Sequence, residues 1–368
     1  MKKALIIGGG FSGCASAHQL SIKGGWDVTL IEQGPFLGAG VRTQWYGGHP
    51  YTYGPRHFLT KDENIFNFLN KYVPLRKLDH TFITYIEQDQ QFYNFPIHYD
   101  DIQKMPDKDI VKSELENIKE NVKPNNLEDY WINTVGKTLY EKFAKYYNLK
   151  MWQIDDNKLI DSNIPEWTSK GSLIYKGEIK NFHDSISAYP YAKNGYDDYF
   201  DISTEGTKVL LNSKIENYDL KNKEIILNGE KLKYDLIINT ISPDILYNFC
   251  YGKLKFVGLD FHTFVLPVEN CFPDDVFFIY FSGKEKHKRL VEYKKFTQHK
   301  SPHTLIGIEF PSMNGKHYTL PISTEINLAQ KYIAEMPDGV FSIGRAGSYQ
   351  YIDIDDCIKQ AMEVADQL

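Results

Sequence analysis

The chemistry most explicit in this chain lies in three glycines and one acid. Gly8-Gly9-Gly10-Phe11-Ser12-Gly13 satisfies the pattern G-x-G-x-x-G. An apolar run, Ala4 to Ile7, precedes it, and a helix-compatible run, Cys14 to Ile22, comes next. A second apolar run, Trp26 to Ile31, ends on Glu32. Strand, glycine turn, helix, strand and acid form the context in which this motif binds a dinucleotide. Gly8 permits the tight turn, Gly10 lets a pyrophosphate approach the backbone, and Gly13 lets helix and sheet pack closely. Amides of Phe11 and Ser12 at the helix start face the phosphates. Glu32, with Gln33 beside it, is placed to bond an adenosine ribose.

The segment after Glu32 indicates which dinucleotide binds. Gly34-Pro35-Phe36-Leu37-Gly38-Ala39-Gly40-Val41-Arg42 is a second glycine cluster, similar to the loop that FAD oxidases place near the cofactor phosphates. It favours FAD over NAD and adds Gly40 to the candidate contacts. The C-terminal end fits the same reading. Val340 to Ile343 reads as a buried strand stopping at Gly344, and Ile354 to Gln367 as a closing helix with Ile358, Ala361, Met362 and Ala365 on one face. Asp353, Asp355 and Asp356 cluster where carboxylates suit the helix dipole. In FAD folds such a helix start aims its amides at the flavin, where they stabilise a reduced, anionic ring. Gly344, Arg345, Asp353 and Ile354 are therefore candidate cofactor contacts. So are Thr240, at the end of the buried strand Leu236 to Thr240, and Ile215, in the segment Lys214 to Tyr218.

Composition excludes several classes. The 368 residues carry a net charge of −6 and no sustained basic stripe, which argues against a nucleic-acid partner. The Lys-rich stretch Lys284 to Lys295 reads as a solvated face or the edge of a phosphate site. No apolar run is long enough to cross a bilayer, and the first residues read as a strand rather than a targeting segment. Cys14, Cys250, Cys271 and Cys357 show no paired spacing. A cytoplasmic protein with reduced thiols and no metal site is expected.

The elements that must position these groups are interleaved, and the pattern predicts an α/β fold. A Rossmann-like FAD-binding domain is expected from 1–70, 195–248 and 336–368. A helical domain is expected at 96–165, and an antiparallel β-sheet substrate domain from 71–95, 166–194 and 249–335. Gly47 to Leu59 reads as a loop, Asn64 to Tyr72 and Ile326 to Ala334 as helices, and Phe82 to Glu87 with Gln91 to Phe95 as a hairpin. Asp100 to Ser162 reads as mostly helical, Leu173 to Tyr175 as strand-like, and Leu254 to Gly307 as alternating sheet. Asn228-Gly229 marks a turn after Ile225 to Leu227.

Several separated segments, in order along the chain, resemble the UDP-galactopyranose mutases. Tyr53-Gly54-Pro55-Arg56-His57-Phe58-Leu59-Thr60 resembles the family loop beside the flavin. Leu127-Glu128 through Val135-Gly136-Lys137-Thr138-Leu139-Tyr140, then Tyr147 to Trp152, resembles the helical-domain signature. Gly195-Tyr196 with Tyr199-Phe200 resembles a later helix start. Arg289, followed by Glu292, Tyr293 and Phe296, resembles the strand bearing a substrate arginine, and Tyr318 a tyrosine ahead of the last helices. The closest match is Gly344-Arg345-Ala346-Gly347-Ser348-Tyr349-Gln350-Tyr351-Ile352-Asp353.

The resemblance implies an FAD-dependent isomerase that interconverts pyranose and furanose forms of a nucleotide sugar. It implies that reduced flavin N5 attacks the anomeric carbon while the nucleotide diphosphate leaves and later returns. Arg289, Arg345 and Tyr351, with Tyr349 and Tyr318, would hold the diphosphate, and Tyr147 and Trp152 the base and ribose. Arg56, His57, Arg289 and Arg345 are the expected catalytic set, with Arg56 or His57 tuning the reduced flavin. A flavin reductant, NAD(P)H among the possibilities, and a homodimer are implied by the same resemblance.

The chain also departs from the family. Arg56 stands at the first loop histidine and Leu59 at the second. Trp167 stands where an arginine is expected after Ile164-Pro165, and Ile308 replaces a tyrosine before Glu309. These changes keep two other readings open: a redox flavoenzyme of the amine-oxidase-like lineage, and a non-catalytic nucleotide-binding relative.

Overall fold

The computed structural model describes residues 1–119, 122–161, 174–179 and 185–368. Five strands pair in the order Lys208–Leu210, Trp26–Ile31, Lys2–Ile7, Leu236–Asn239 and Val340–Ser342, all parallel. Ala4, Ile6, Leu30 and Ile238 enter one hydrophobic cluster, whereas Leu5, Ile7, Ile31 and Ile237 enter another on the opposite face. Burial on both faces is why these strands read as continuous apolar runs. Helices Phe11–Lys23 and Ile354–Asp366 cover the first face with Cys14, Ala15, Ala17, Ile358, Ala361 and Val364. A meander of Asn217–Asp219, Glu224–Leu227 and Glu230–Lys233 covers the second. Asn228 and Gly229 both take positive φ, 52° and 75°, as a tight two-residue hairpin turn demands.

A second sheet has seven strands, in the order Tyr318–Thr319, Phe256–Leu266, Thr304–Ser312, Arg289–Glu292, Val276–Phe281, Thr81–Ile86 and Gln91–Asn94. The expectation of a purely antiparallel sheet needs one correction: Val276–Phe281 runs parallel to Thr81–Ile86. Parallel neighbours need a long crossover, and the helical segment lies between these two strands in sequence. A second correction concerns Gly47 to Leu59. The structure forms a hairpin from Gln44–Tyr46 and His49–Tyr51, then a strand, Phe58–Thr60, paired with Ile186–Pro190. The strand expected from Lys214 begins later, at Asn217. The part of Leu173 to Tyr175 that is described, Ile174–Tyr175, is a strand.

Helices Lys108–Glu116 and Leu127–Val135, with shorter turns between them, stack on the Thr81–Asn94 hairpin, and helix Tyr146–Trp152 packs against Val257 and Tyr318. Two lysines pin this layer to the sheet. Lys142, only 3% exposed, places its Nζ 2.7 Å from Asp89 Oδ2 and 2.7 Å from Asp107 Oδ1. Lys150 Nζ reaches Glu285 Oε1 at 2.9 Å and the Gly283 carbonyl at 3.1 Å. Tyr147, Met151 and Trp152 are thereby held against the sheet. Among the described residues, no helix is long and apolar enough to cross a membrane.

Removing one partner of a buried ion pair strands the other. Lys142→Ala is therefore expected to destabilise the protein by about 3–5 kcal/mol. Urea denaturation of the variant beside Lys150→Ala checks this, with the more exposed Lys150 giving the smaller loss.

Candidate active site

Strand register builds the site's floor. Phe261 lies opposite Glu309, Glu309 opposite Arg289, and Arg289 opposite Tyr280, one row across four strands. Arg289 grips Glu309 with both arms of its fork, Nε to Oε1 at 2.9 Å and Nη2 to Oε2 at 2.8 Å. Lys288 Nζ adds a contact to Oε2 at 3.2 Å. Glu309 is fully buried and Lys288 nearly so. Burial alone would raise the Glu309 carboxyl, but Arg289 and Lys288 outweigh it and hold it below the ordinary carboxylate range. The alternative of a surface pair between Arg289 and Glu292 is not formed. Glu292 is buried and accepts from the amides of Cys271 and Phe272 and from the Thr304 hydroxyl.

Above this floor the cations converge on an aromatic pair. Tyr318 and Tyr351 stack at 5.5 Å, and the edge of Trp152 meets both rings. Lys288 Nζ lies 4.8 Å from the Tyr318 ring centre, and the Arg345 guanidinium lies 5.1 Å from it. Arg345 is aimed by its backbone bonds, Nε to the Ile352 carbonyl at 2.9 Å and Nη1 to the His317 carbonyl at 3.4 Å. Its Nη2 also meets Asp353 Oδ1 at 3.3 Å. Burial would raise the Tyr318 phenol, yet Lys288, Arg56 and Arg289 bring it down to about 8. Tyr147 packs edge-on against Tyr280 at 5.5 Å, joining Trp152 on the helical side. Tyr349 stands apart: its hydroxyl accepts from Leu320 N and donates to the Lys255 carbonyl, and its ring packs on Phe256.

The loop from Thr52 to Leu59 closes the near wall. The Tyr293 hydroxyl donates to the Thr52 carbonyl and accepts from Gly54 N, fixing the loop to the sheet. Gly54 turns with φ 91°, a conformation that favours glycine. Beyond it, Arg56 and His57 part company. The His57 ring enters an aromatic box of Phe278, Phe296 and His80. Burial drives it down to about 4, and His80 to about 3, so both rings stay neutral. Arg56 faces the site. A cleft of about 580 Å³ opens beside it, lined by Tyr53, Leu259, Asp260, Phe261, His262 and His317.

The nucleotide motif has the geometry a cofactor needs. A Cβ on Gly13 would lie 2.0 Å from the Gly8 carbonyl oxygen, so helix and turn touch. A Cβ on Gly10 would meet nothing nearer than Ala39 Cβ at 3.8 Å, and one on Gly40 nothing nearer than 3.7 Å, which leaves room beside both. No side chain caps the start of helix Phe11–Lys23, so its first amides face that room. Glu32 bonds the amides of Gly9 at 2.7 Å and Gly34 at 2.6 Å, tying the two glycine loops together. Thr240 fixes the first turn by donating to the Ile7 carbonyl, and Gly344 packs on Ser12. Ile215 is buried under the sheet, and Gln33 is exposed. These residues fit a dinucleotide. At the start of helix Ile354–Asp366, Asp353 and Asp356 close a capping box that occupies the amides of Asp353 and Asp356 and adds carboxylates there.

Similarity to known proteins agrees with this geometry. The family model for UDP-galactopyranose mutase matches residues 142–351, and that for an NAD(P)-binding Rossmann-like domain matches residues 6–72. The chain belongs to the UDP-galactopyranose mutase family. It is 24% identical to a probable UDP-galactopyranose mutase of Klebsiella pneumoniae, over 100% of the chain and 94% of that relative. It is also 24% identical to a dTDP-fucopyranose mutase of Escherichia coli, over 99% of the chain and 98% of that relative. The crystal structure of a reduced UDP-galactopyranose mutase superposes with a TM-score of 0.84 at 16% identity, covering 100% of the chain and 95% of that structure. The fold is thus the α/β flavoprotein fold of that family.

Sequence reasoning missed Lys288 as a site residue. Its place inside a lysine-rich run suggested a solvated face, and only the pairing with Glu309 marks it as buried. Trp167 lies outside the described residues. Ile308, next to Glu309, pairs with Leu290 and His262 in the sheet.

Stability and its pH dependence test this arrangement. Glu309→Gln leaves two buried cations without their carboxylate and is expected to cost about 3–5 kcal/mol of stability, read as a lower urea midpoint. The neutral His57 and His80 bind protons readily only when the chain unfolds. Stability is therefore expected to fall as pH drops from 6.5 toward 4. His80→Phe should flatten that fall, measured as the urea midpoint at pH 7 and pH 5.

Proposed function

We propose that this protein is an FAD-dependent mutase that interconverts the pyranose and furanose forms of a nucleoside-diphosphate sugar, UDP-galactopyranose or a close analogue. The observation that carries the reading is the convergence of Lys288 and Arg345 on the Tyr318–Tyr351 pair, with Arg289 over the neighbouring Tyr280 ring, beside a dinucleotide cradle. Bound reduced FAD supplies the nucleophile that displaces the diphosphate from the anomeric carbon. Ring contraction has no net redox change, so the protein's task is to keep the departed diphosphate in place until it returns.

Guanidinium forks match phosphate oxygens, and Arg345 is already aimed by the Ile352 and His317 carbonyls. Arg289 is held rigid by Glu309, which reduces the entropy lost on binding. The Tyr318 and Tyr351 hydroxyls can add bonds to the same oxygens, and Trp152 with Tyr147 offers apolar faces to base and ribose. Gly8, Gly10, Phe11, Ser12, Gly13, Glu32, Gly40, Thr240 and Gly344 form the cofactor cradle. NAD(P)H as reductant, homodimer assembly and a cytoplasmic location belong to the same proposal by family resemblance. An oxidase reading gives no role to three cations gathered over Tyr280, Tyr318 and Tyr351.

The sugar is not set by kinship, because a UDP-galactopyranose and a dTDP-fucopyranose relative are equally similar. The test is product analysis on dithionite-reduced, FAD-loaded protein, incubated with UDP-galactopyranose, dTDP-fucopyranose, N-acetylated and pentose analogues and read by chromatography and NMR. A furanose product that depends on reduction is expected. Oxygen consumption with substrate, or no product despite bound reduced FAD, would overturn the proposal. Arg345→Lys should lower kcat/KM about 10- to 100-fold, the value of a charge-assisted bidentate contact.

A further inference from the structure

Arg56 is a cation without a counter-ion. Among the described residues its guanidinium has no ion pair or hydrogen bond, and its Nε is shielded from water without a partner. An unpaired buried polar group costs on the order of 1–3 kcal/mol, more when charged, so a ligand is the natural partner. Its place narrows the ligand's identity. A Cβ on Gly40 would lie 3.7 Å from Arg56 Nη2, and one on Gly54 3.9 Å from Arg56 Cζ. Gly40 belongs to the loop packed against the dinucleotide motif, where Gly38 N donates to the Gly9 carbonyl at 2.8 Å. Gly54 belongs to the loop beside Arg289 and Glu309. Arg56 therefore stands at the seam between cofactor cradle and substrate floor.

The other permanent cations near that seam are already engaged, Arg289 by Glu309 and Arg345 by Asp353 and two backbone carbonyls. The terminal helix start carries Asp353, Asp355 and Asp356 and caps itself, so it repels an anion. His57 is turned into the aromatic box, and Leu59 carries no charge. His317 is driven down to about 4 by burial, Arg56, Lys288 and Arg345, and so stays neutral.

We propose that Arg56 is the fixed counter-charge of the reduced flavin in this chain, holding the two-electron-reduced ring as its monoanion independently of pH. The inference rests on the FAD-dependent mutase reading. Two electrons and one proton convert the oxidised ring to that anion, and a permanent cation beside it favours the reduced side. An imidazole would do so only while protonated. Between pH 6 and 7.5 no imidazole facing Arg56 titrates; Asp355, raised to about 6 at the start of the terminal helix, does, and comparing Arg56→His with Arg56→Lys at each pH cancels its contribution. Arg289 and Arg345 stay charged. Glu309 stays ionised, His317 stays neutral, Tyr293 is raised well above the ordinary phenol range, and Tyr318 titrates near 8.

The test is the reduction potential of FAD bound to the full chain, measured spectrally against a reference dye at pH 6 and 7.5. Wild type, Arg56→Ala, Arg56→Lys and Arg56→His are compared. Arg56→Ala should shift the equilibrium toward oxidised flavin at least tenfold, about 30 mV for two electrons. Arg56→Lys should restore it. Arg56→His should match wild type more closely at pH 6 than at 7.5. If Arg56→Ala does not retain FAD, the Lys and His variants decide, and potentials that are the same for these two variants at each pH overturn the inference. UDP affinity of the oxidised protein is measured in parallel. A tenfold loss of UDP binding in Arg56→Ala with an unchanged potential would assign the cation to the nucleotide and overturn the inference while leaving the mutase reading intact. Failure of wild type to hold FAD would overturn the reading beneath it.

Discussion

The site depends on one buried carboxylate. Glu309 lies at the centre of the seven-stranded sheet, fully shielded, with Arg289 forked onto it and Lys288 against its second oxygen. Two cations and one anion leave a surplus positive charge in a low-dielectric setting, where it acts strongly. Without the carboxylate, neither cation could stay buried. With two carboxylates, the surplus would vanish and no phosphate would be attracted. The cross-strand register that sets Phe261, Glu309, Arg289 and Tyr280 in one row is therefore a functional constraint as well as a structural one.

The other elements keep that charge where a ligand can use it. Lys142 and Lys150 moor the helical layer, which puts Met151 against Lys288 and Trp152 against Tyr318. The Gly344–Gly347 turn puts Arg345 over the same ring from the cofactor side. Three units of the fold thus contribute to one cluster. Their sequence order differs from their order in space, which is why no single stretch of chain announces the site.

The cofactor half was legible because its physics is local. A tight turn, an uncapped helix start and close helix packing need glycines at fixed spacing within one βαβ unit, and Gly8, Gly10 and Gly13 carry that signal in six residues. Arg345 and Tyr351 were marked instead by a family resemblance contained in one short stretch, Gly344 to Asp353. What stayed hidden depends on non-local pairing. Lys288 is hydrophilic by type and buried only because Glu309, twenty-one residues on, crosses beside it. His57 and Arg56 are neighbours, yet one enters an aromatic box and the other the site, a choice made by Phe278, Phe296 and the Tyr293 tether. Tyr349 keeps the spacing of a ligand-binding tyrosine but spends its hydroxyl on two backbone groups.

The departures of the loop from its family share a common meaning. By the family resemblance, Arg56 and Leu59 stand where the family has two titratable histidines, and the imidazoles nearby, His57 and His317, are both held neutral. What remains is a permanent guanidinium at the seam and a phenol, Tyr318, poised by three cations. The pH response of such a site then rests on Tyr318 and on Asp355 at the terminal helix start rather than on an imidazole. Under the proposed mutase reading, the two demands on the protein, a reduced cofactor kept anionic and a diphosphate kept close, would each fall to guanidinium groups that do not titrate.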